Sequence, residues 1–310
     1  MNWLILVLVA VIFSSSGIYI DNYISDVYFK GRNAVSQKMF FAFAFAGVAI
    51  ILSIISNFEF LSIDNHVLWL LVLSGIFSSL AGIPYYKALE VDDSTNLGIF
   101  VQISPVLYLI LGWLFLGESI SISQLIAFVV IMAAPLLVLF TTRKRSRKTK
   151  LRAIFYAFLY VLIHVSGNLI FVKENCCTDI TFISSMSLVM FGKSLGNIII
   201  LIFRPKWVKS FIKVYKSSKG KVLRPLFGTL ACAVTKDFCY RGALLLAPSV
   251  ALASAAADSA QPIVIFFLGI ILTLIWPKFG REKLNRKSVL VHLLATIIVV
   301  IGIILLQNSV

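Results

Sequence analysis

The chain has 310 residues, of which 60% are hydrophobic and 13% charged, with a mean hydropathy of +0.98. Soluble domains run at roughly 45–50% apolar and about 25% charged, so an ordinary soluble fold is excluded. The net charge of +15 would suggest nucleic acid in a soluble protein. Here most Lys and Arg fall in four short connections between apolar runs, where they face anionic headgroups and set orientation.

Apolar runs of about 20 residues recur along the whole chain, the length a helix needs to cross a bilayer. They lie near 2–20, 38–56, 67–89, 97–116, 122–140, 151–172, 180–203, 224–247, 249–275 and 288–308. An open sheet edge is not tolerated in lipid, so these runs are expected to be helices. The expected fold is an all-α polytopic membrane protein with ten spans. The first run lacks a basic flank and a small-residue cleavage site, and is therefore read as a retained span.

The cations cluster after runs 1, 5, 7 and 9, including Lys30, Arg32 and Lys38 after the first. The connections after runs 2, 4 and 6 are neutral or acidic, and only the one after run 3 (Glu90, Asp92, Asp93) breaks the pattern on the basic side. By the positive-inside rule the odd-numbered loops are cytoplasmic and both termini lie outside. Between Arg204 and Arg224, Trp207, Phe211 and Tyr215 recur every four residues, with Lys206, Lys209, Lys213 and Lys216 mostly opposite. That pattern predicts a cationic amphipathic helix lying on the membrane surface. Four cysteines (Cys176, Cys177, Cys232, Cys239) are too few for a disulfide scaffold.

A polar motif occurs twice. Tyr85-Tyr86-Lys87-Ala88-Leu89 is followed by an apolar run carrying Gln102-Ile103-Ser104-Pro105. Tyr240-Arg241-Gly242-Ala243-Leu244 is followed by one carrying Asp258-Ser259-Ala260-Gln261-Pro262. A short connection with a glutamate then follows, Leu116-Gly117-Glu118 in one half and Phe279-Gly280-Arg281-Glu282 in the other. The halves are expected at 1–140 and 151–310, joined by a basic cytoplasmic linker at 141–150. Five spans per half would make the second half enter the membrane inverted, an arrangement found in many secondary transporters.

These motifs resemble the EamA-type repeat of the drug/metabolite transporter superfamily. The resemblance runs through Pro84–Glu90, Gln102–Pro105 and Leu116–Glu118, and again through Tyr240–Leu246, Gln261-Pro262 and Glu282. It implies a carrier of small polar or amphipathic metabolites. Many members of that family are drawn with cytoplasmic termini, opposite to the charge bias of this chain. Intramembrane ionisable groups cost roughly 2.5–3.5 kcal/mol each on insertion scales and point to function. The candidate substrate-binding or coupling residues are Gln102, Asp258, Gln261, Tyr86, Tyr240, Arg241 and Lys87. Asp258 would couple protons or bind an amine, while the two glutamines could bind substrate or knit helices. Lys87 and Arg241 would hold a carboxylate or phosphate, or gate the cavity, with Tyr86 and Tyr240 stacking on substrate. For Lys87 the alternative is snorkelling to the interface. Lys193 is a further residue that could partner Asp258. His164 and Asn168, one turn apart, suit a helix-packing hydrogen bond, and Glu118 a capping role.

No cofactor, metal or catalytic residue is expected. The expected partners are a small-molecule substrate, a coupling proton or ion, membrane lipids and a second copy of the chain, with no nucleic acid. The expected location is the plasma or inner membrane. The rival readings are an intramembrane lipid- or glycosyl-transferring enzyme, which lacks HExxH, GxSxG and DxD motifs here, and a non-transporting signalling or structural membrane protein.

Overall fold

The computed structural model describes residues 2–29, 34–91, 104–119, 121–141 and 147–275, and short helical pieces between 290 and 305. Every regular element among the described residues is helical. In chain order these are α1 (Asn2–Ile24), α2 (Lys38–Ile55), α3 (Asn65–Val91), α4 (Ser104–Leu116), α5 (Ile122–Thr141), α6 (Arg147–Cys177), α7 (Phe182–Phe203), α8 (Pro205–Ser217), α9 (Leu223–Leu246) and α10 (Val250–Ile275). Among the described residues, six stretches are long and apolar enough to cross a membrane: Trp3–Phe29, Val35–Ile55, Asn65–Tyr85, Phe155–Cys177, Phe182–Phe203 and Val250–Leu272. Large apolar side chains such as Ile50, Ile51, Trp69 and Phe203 stand exposed on them, as suits helices whose outer face meets lipid. Only short pieces of the last apolar run are described, and Glu282 lies outside the described residues.

The helices form two compact units. One contains 1–19, 87–162 and 235–310, the other 20–86 and 163–234. Each draws on segments from both sides of the basic linker. In the second unit α3 and α7 meet backbone to backbone. A Cβ added to Gly192 would collide with the Val72 carbonyl, and one added to Gly75 with the Val189 carbonyl. Small residues permit such approach where lipid supplies no hydrophobic drive between helices. Hydroxyls tie α2 to the other side of α7: Ser53 Oγ donates to Ser187 Oγ at 3.2 Å, and Ser194 Oγ to the Ala42 carbonyl at 2.6 Å.

α1 runs past the predicted end of the first span and continues as a π-turn over Ser25–Phe29. This carries Asp21 into the helical body. Lys38, counted above among loop cations, is buried at the start of α2 and donates to the Ser79 carbonyl and to Asn197 Oδ1, each at 3.2 Å. α8 confirms the amphipathic helix and corrects its docking. Its Phe211 is buried with Ile24, Phe29, Val222 and Leu226, so part of the apolar face is spent on the protein's own core.

In the first unit α10 packs on α4 and α5. The start of α10 is capped twice. Ser249 Oγ accepts from Leu252 N–H at 3.3 Å, and the Glu118 carboxylate accepts from Val250 N–H at 3.1 and 3.2 Å. The first helical N–H groups lack intrahelical partners, and a carboxylate there also meets the positive end of the helix dipole. This is the capping role expected of Glu118.

Candidate functional site

The polar motif of the second half becomes the centre of the first unit. Asp258 lies on α10, one turn after Ser254, whose hydroxyl donates to Asp258 Oδ2 at 3.1 Å. Ser254 Oγ lies 3.3 Å from Ser104 Oγ on α4, and Ser104 itself hydrogen-bonds the same carboxylate. Pro262 has no N–H to offer the carbonyl four residues back, so the backbone oxygen of Asp258 loses its helix partner.

Tyr240 and Arg241 of α9 join this centre. Tyr240 is buried and in hydrogen-bonding contact with Tyr108 of α4 and Ser254, within electrostatic reach of Asp258. Arg241 is only 2% exposed, and among the described residues it is one of the largest fully buried side chains. Its charge is met by Asp237, one turn earlier on α9, and Tyr108 and Tyr240 lie beside it. A buried guanidinium without such compensation would be strongly destabilising. Lys236 lies within electrostatic reach of Asp258. The centre therefore holds both charge signs, two serine hydroxyls and two tyrosines.

The other predicted residues separate. Gln261 Nε2 donates to Ser14 Oγ at 3.4 Å; with Tyr19 Oη donating to the Ile265 carbonyl at 2.8 Å, it ties α10 to α1. Lys87 is exposed, its ammonium 5.5 Å from the Tyr156 ring centroid, a cation–π geometry. For Tyr86 only the backbone, within α3, is described, and Gln102 lies outside the described residues. His164 and Asn168 bond each other at 3.2 Å within α6.

A second polar centre lies in the other unit, and of its residues only Lys193 stood out in the sequence, as a partner for Asp258; here it neighbours Lys38 instead. Asp21 contacts Thr229 of α9 and sits within electrostatic reach of Lys38 and Tyr85. Lys193 neighbours Lys38, its ammonium 5.3 Å from the Phe45 ring centroid. Both lysines are buried. Ser79 joins the two, accepting from Lys38 through its carbonyl and donating through Oγ to the Lys193 carbonyl at 2.7 Å. The signal in sequence was an aspartate and a lysine at the very ends of two apolar runs. Among the described residues no group of His, Cys, Asp and Glu could hold a metal ion.

Fold and composition define an integral, multi-pass, all-helical membrane protein. Residues 1–140 match the model of the EamA-like transporter family, in agreement with the resemblance to the drug/metabolite transporter superfamily drawn from the motifs. The match covers 140 of the 310 residues, and the family it points to is one of transporters. A search of curated proteins finds no match. One solved crystal structure is similar with a TM-score of 0.61 at 13% identity, covering 97% of this chain and 94% of that chain. At that identity the likeness speaks for the fold alone.

Proposed function

We propose that the chain is a secondary transporter that moves a small polar or amphipathic metabolite by alternating access. Its ten spans form two inverted five-span repeats, and the substrate is held where they meet. One observation carries this reading: Asp258, Tyr240 and Arg241 of the second half converge with Ser104 and Tyr108 of the first inside one apolar unit. Helix-packing alone would be served by hydroxyls and amides, at much lower desolvation cost than an aspartate and an arginine.

In this site the Asp258 carboxylate receives a substrate ammonium or the coupling proton. Arg241, already compensated by Asp237, orients the polar end of the substrate, and the Tyr240 ring supplies a flat apolar wall. Lys87 and Tyr86, at the end of α3, serve as the gate toward the aqueous side, and Gln102 and Gln261 complete the lining. The transporter works in the plasma or inner membrane, alone or as a homodimer.

The test begins with a metabolite-panel thermal-shift screen on the detergent-solubilised protein. The hits are then assayed for uptake into proteoliposomes with and without a pH gradient. Asp258→Asn and Gln261→Ala are expected to abolish uptake at unchanged membrane expression. Uptake at the wild-type rate in both variants would remove these residues from the site. Turnover of a lipid-linked substrate without two compartments would replace transport by the enzyme reading.

A further inference from the structure

Between α2, α8 and α9 runs an apolar groove of about 330 Å³, lined by Met39, Phe40, Phe43, Ala44, Phe211 and Phe227. That is the small end of ligand pockets, which span roughly 300–1,000 Å³. All six residues belong to one compact unit. Phe211 forms its inner wall, continuous with the cluster around Ile24 and Leu226. Phe40 meets Phe227 edge to face at 5.0 Å between centroids. Phe43 and Phe227 remain 70% and 57% exposed, so the groove opens outward.

Its position in the helices indicates what it faces. Met39 to Ala44 belong to the first two turns of α2, and Phe227 to the second turn of α9. The groove therefore lies at the ends of these helices, where hydrocarbon gives way to headgroups, and not at mid-depth. The segment leading into α9 is purely cationic: from Arg204 to Arg224 it contains Lys and Arg and no acidic residue. Arg224 is exposed and three residues before Phe227, hence one turn nearer the helix end on the same face. Lys221 is exposed just before it, in a tight turn closed by Lys219 and Gly220 at φ 50° and 76°.

We propose that this groove is a specific site for an anionic phospholipid, one acyl chain lying against Phe40, Phe43 and Phe227 and the phosphate meeting Arg224 and Lys221. The apolar slot selects a chain and the cationic rim selects a net negative headgroup. A zwitterionic lipid brings a quaternary or primary ammonium toward the same cations and is disfavoured. The amphipathic α8 contributes in an unexpected way, because its Phe211 builds the wall of the site while its lysines supply the surrounding potential. The proposal is independent of transport.

The experiment is native mass spectrometry on the full chain in detergent, titrated with palmitoyl-oleoyl phosphatidylglycerol or the phosphatidylcholine of the same chains. Wild type is expected to retain phosphatidylglycerol about tenfold better at low salt, with the preference shrinking as salt rises. Arg224→Gln should reduce the preference to about twofold while chain binding persists. Ala44→Trp fills the groove and should remove bound lipid of both kinds; Phe227→Asp, on an exposed position, serves the same purpose should the tryptophan variant not fold. Equal retention of the two lipids by wild type would overturn the proposal. So would phosphatidylglycerol binding that survives both groove variants, which would assign it to the α8 lysines alone, or a polypeptide found occupying the groove.

Discussion

Single residues at helix ends carry much of the fixed geometry in the first unit, and Glu118 is the clearest instance. Its carboxylate accepts twice from Val250 N–H at the start of the helix that bears Asp258. Burial pushes the Glu118 carboxyl above the usual carboxylate range, opposed but not cancelled by the Val250 N–H. A raised value means the fold favours the protonated form. Its stabilising contribution is therefore complete below the ordinary carboxylate range and is lost as pH rises through the raised value. Melting temperature measured against pH in detergent should fall across that window in wild type. The fall should be smaller in Glu118→Gln, which still accepts from Val250 N–H and has no proton to lose. Glu118→Ala removes the cap at every pH and should cost about 1 kcal/mol. An unchanged melting curve in the alanine variant would show that Ser249 alone suffices. Asp258, Tyr240 and Arg241 stand out in sequence because ionisable or polar groups inside apolar runs have few innocent explanations. Their partners Ser104, Ser254 and Tyr108 do not, since serine and tyrosine are ordinary in spans and α4 and α10 are some 150 residues apart in sequence. Asp21 and Lys38 escaped for another reason: at the end of an apolar run, hydropathy does not separate a helix's last turn from a loop.

Among elements, the α3–α7 contact shows what small residues achieve without hydrophobic drive. Gly75 and Gly192 face one another, and each leaves room for the other helix's backbone. Gly196 repeats the contact one turn on, where an added Cβ would press against the Ser79 side chain and the Ile76 backbone. Any side chain at Gly192 must push the helices apart, since backbone cannot rotate away as a side chain can. Gly192→Leu should destabilise by about 1–3 kcal/mol or more, the range of overpacked cores. It should also disturb Ser79, and with it the Lys38–Asn197 contact. Thermal melting of the purified variant checks this, with Gly47→Leu as control, because nothing lies within 4 Å of a Cβ there. Equal melting points for the two variants would mean that α3 and α7 do not depend on this approach. The existence of these helices was plain from runs of about 20 apolar residues, whereas their pairing was not. α8 makes the same point at smaller scale: period and charge revealed an apolar face, but nothing in the pattern says whether protein or lipid covers Phe211.

For the whole molecule the open question of orientation can be reduced to two native thiols. Cys176 and Cys177 are exposed at the C-terminal end of α6, whereas Cys232 is buried. The turn that follows them carries Asp179, and Thr181 caps α7 by accepting from Ser184 N–H at 3.4 Å. α7 then crosses to the cationic α8, so the two cysteines and the α8 lysines lie at opposite ends of one span-length helix. Because the segment around α8 holds cations and no acids, the positive-inside rule places it in the cytoplasm and Cys176 and Cys177 outside. A membrane-impermeant maleimide applied to intact cells should therefore label the wild-type chain, and labelling should disappear in the Cys176→Ser/Cys177→Ser double variant. Labelling that appears only after permeabilisation would reverse the orientation, with the helices and both polar centres unchanged. The phospholipid site would then face the outer leaflet, where anionic lipid is scarcer in many membranes. This measurement thus fixes which leaflet must supply the lipid bound beside Arg224.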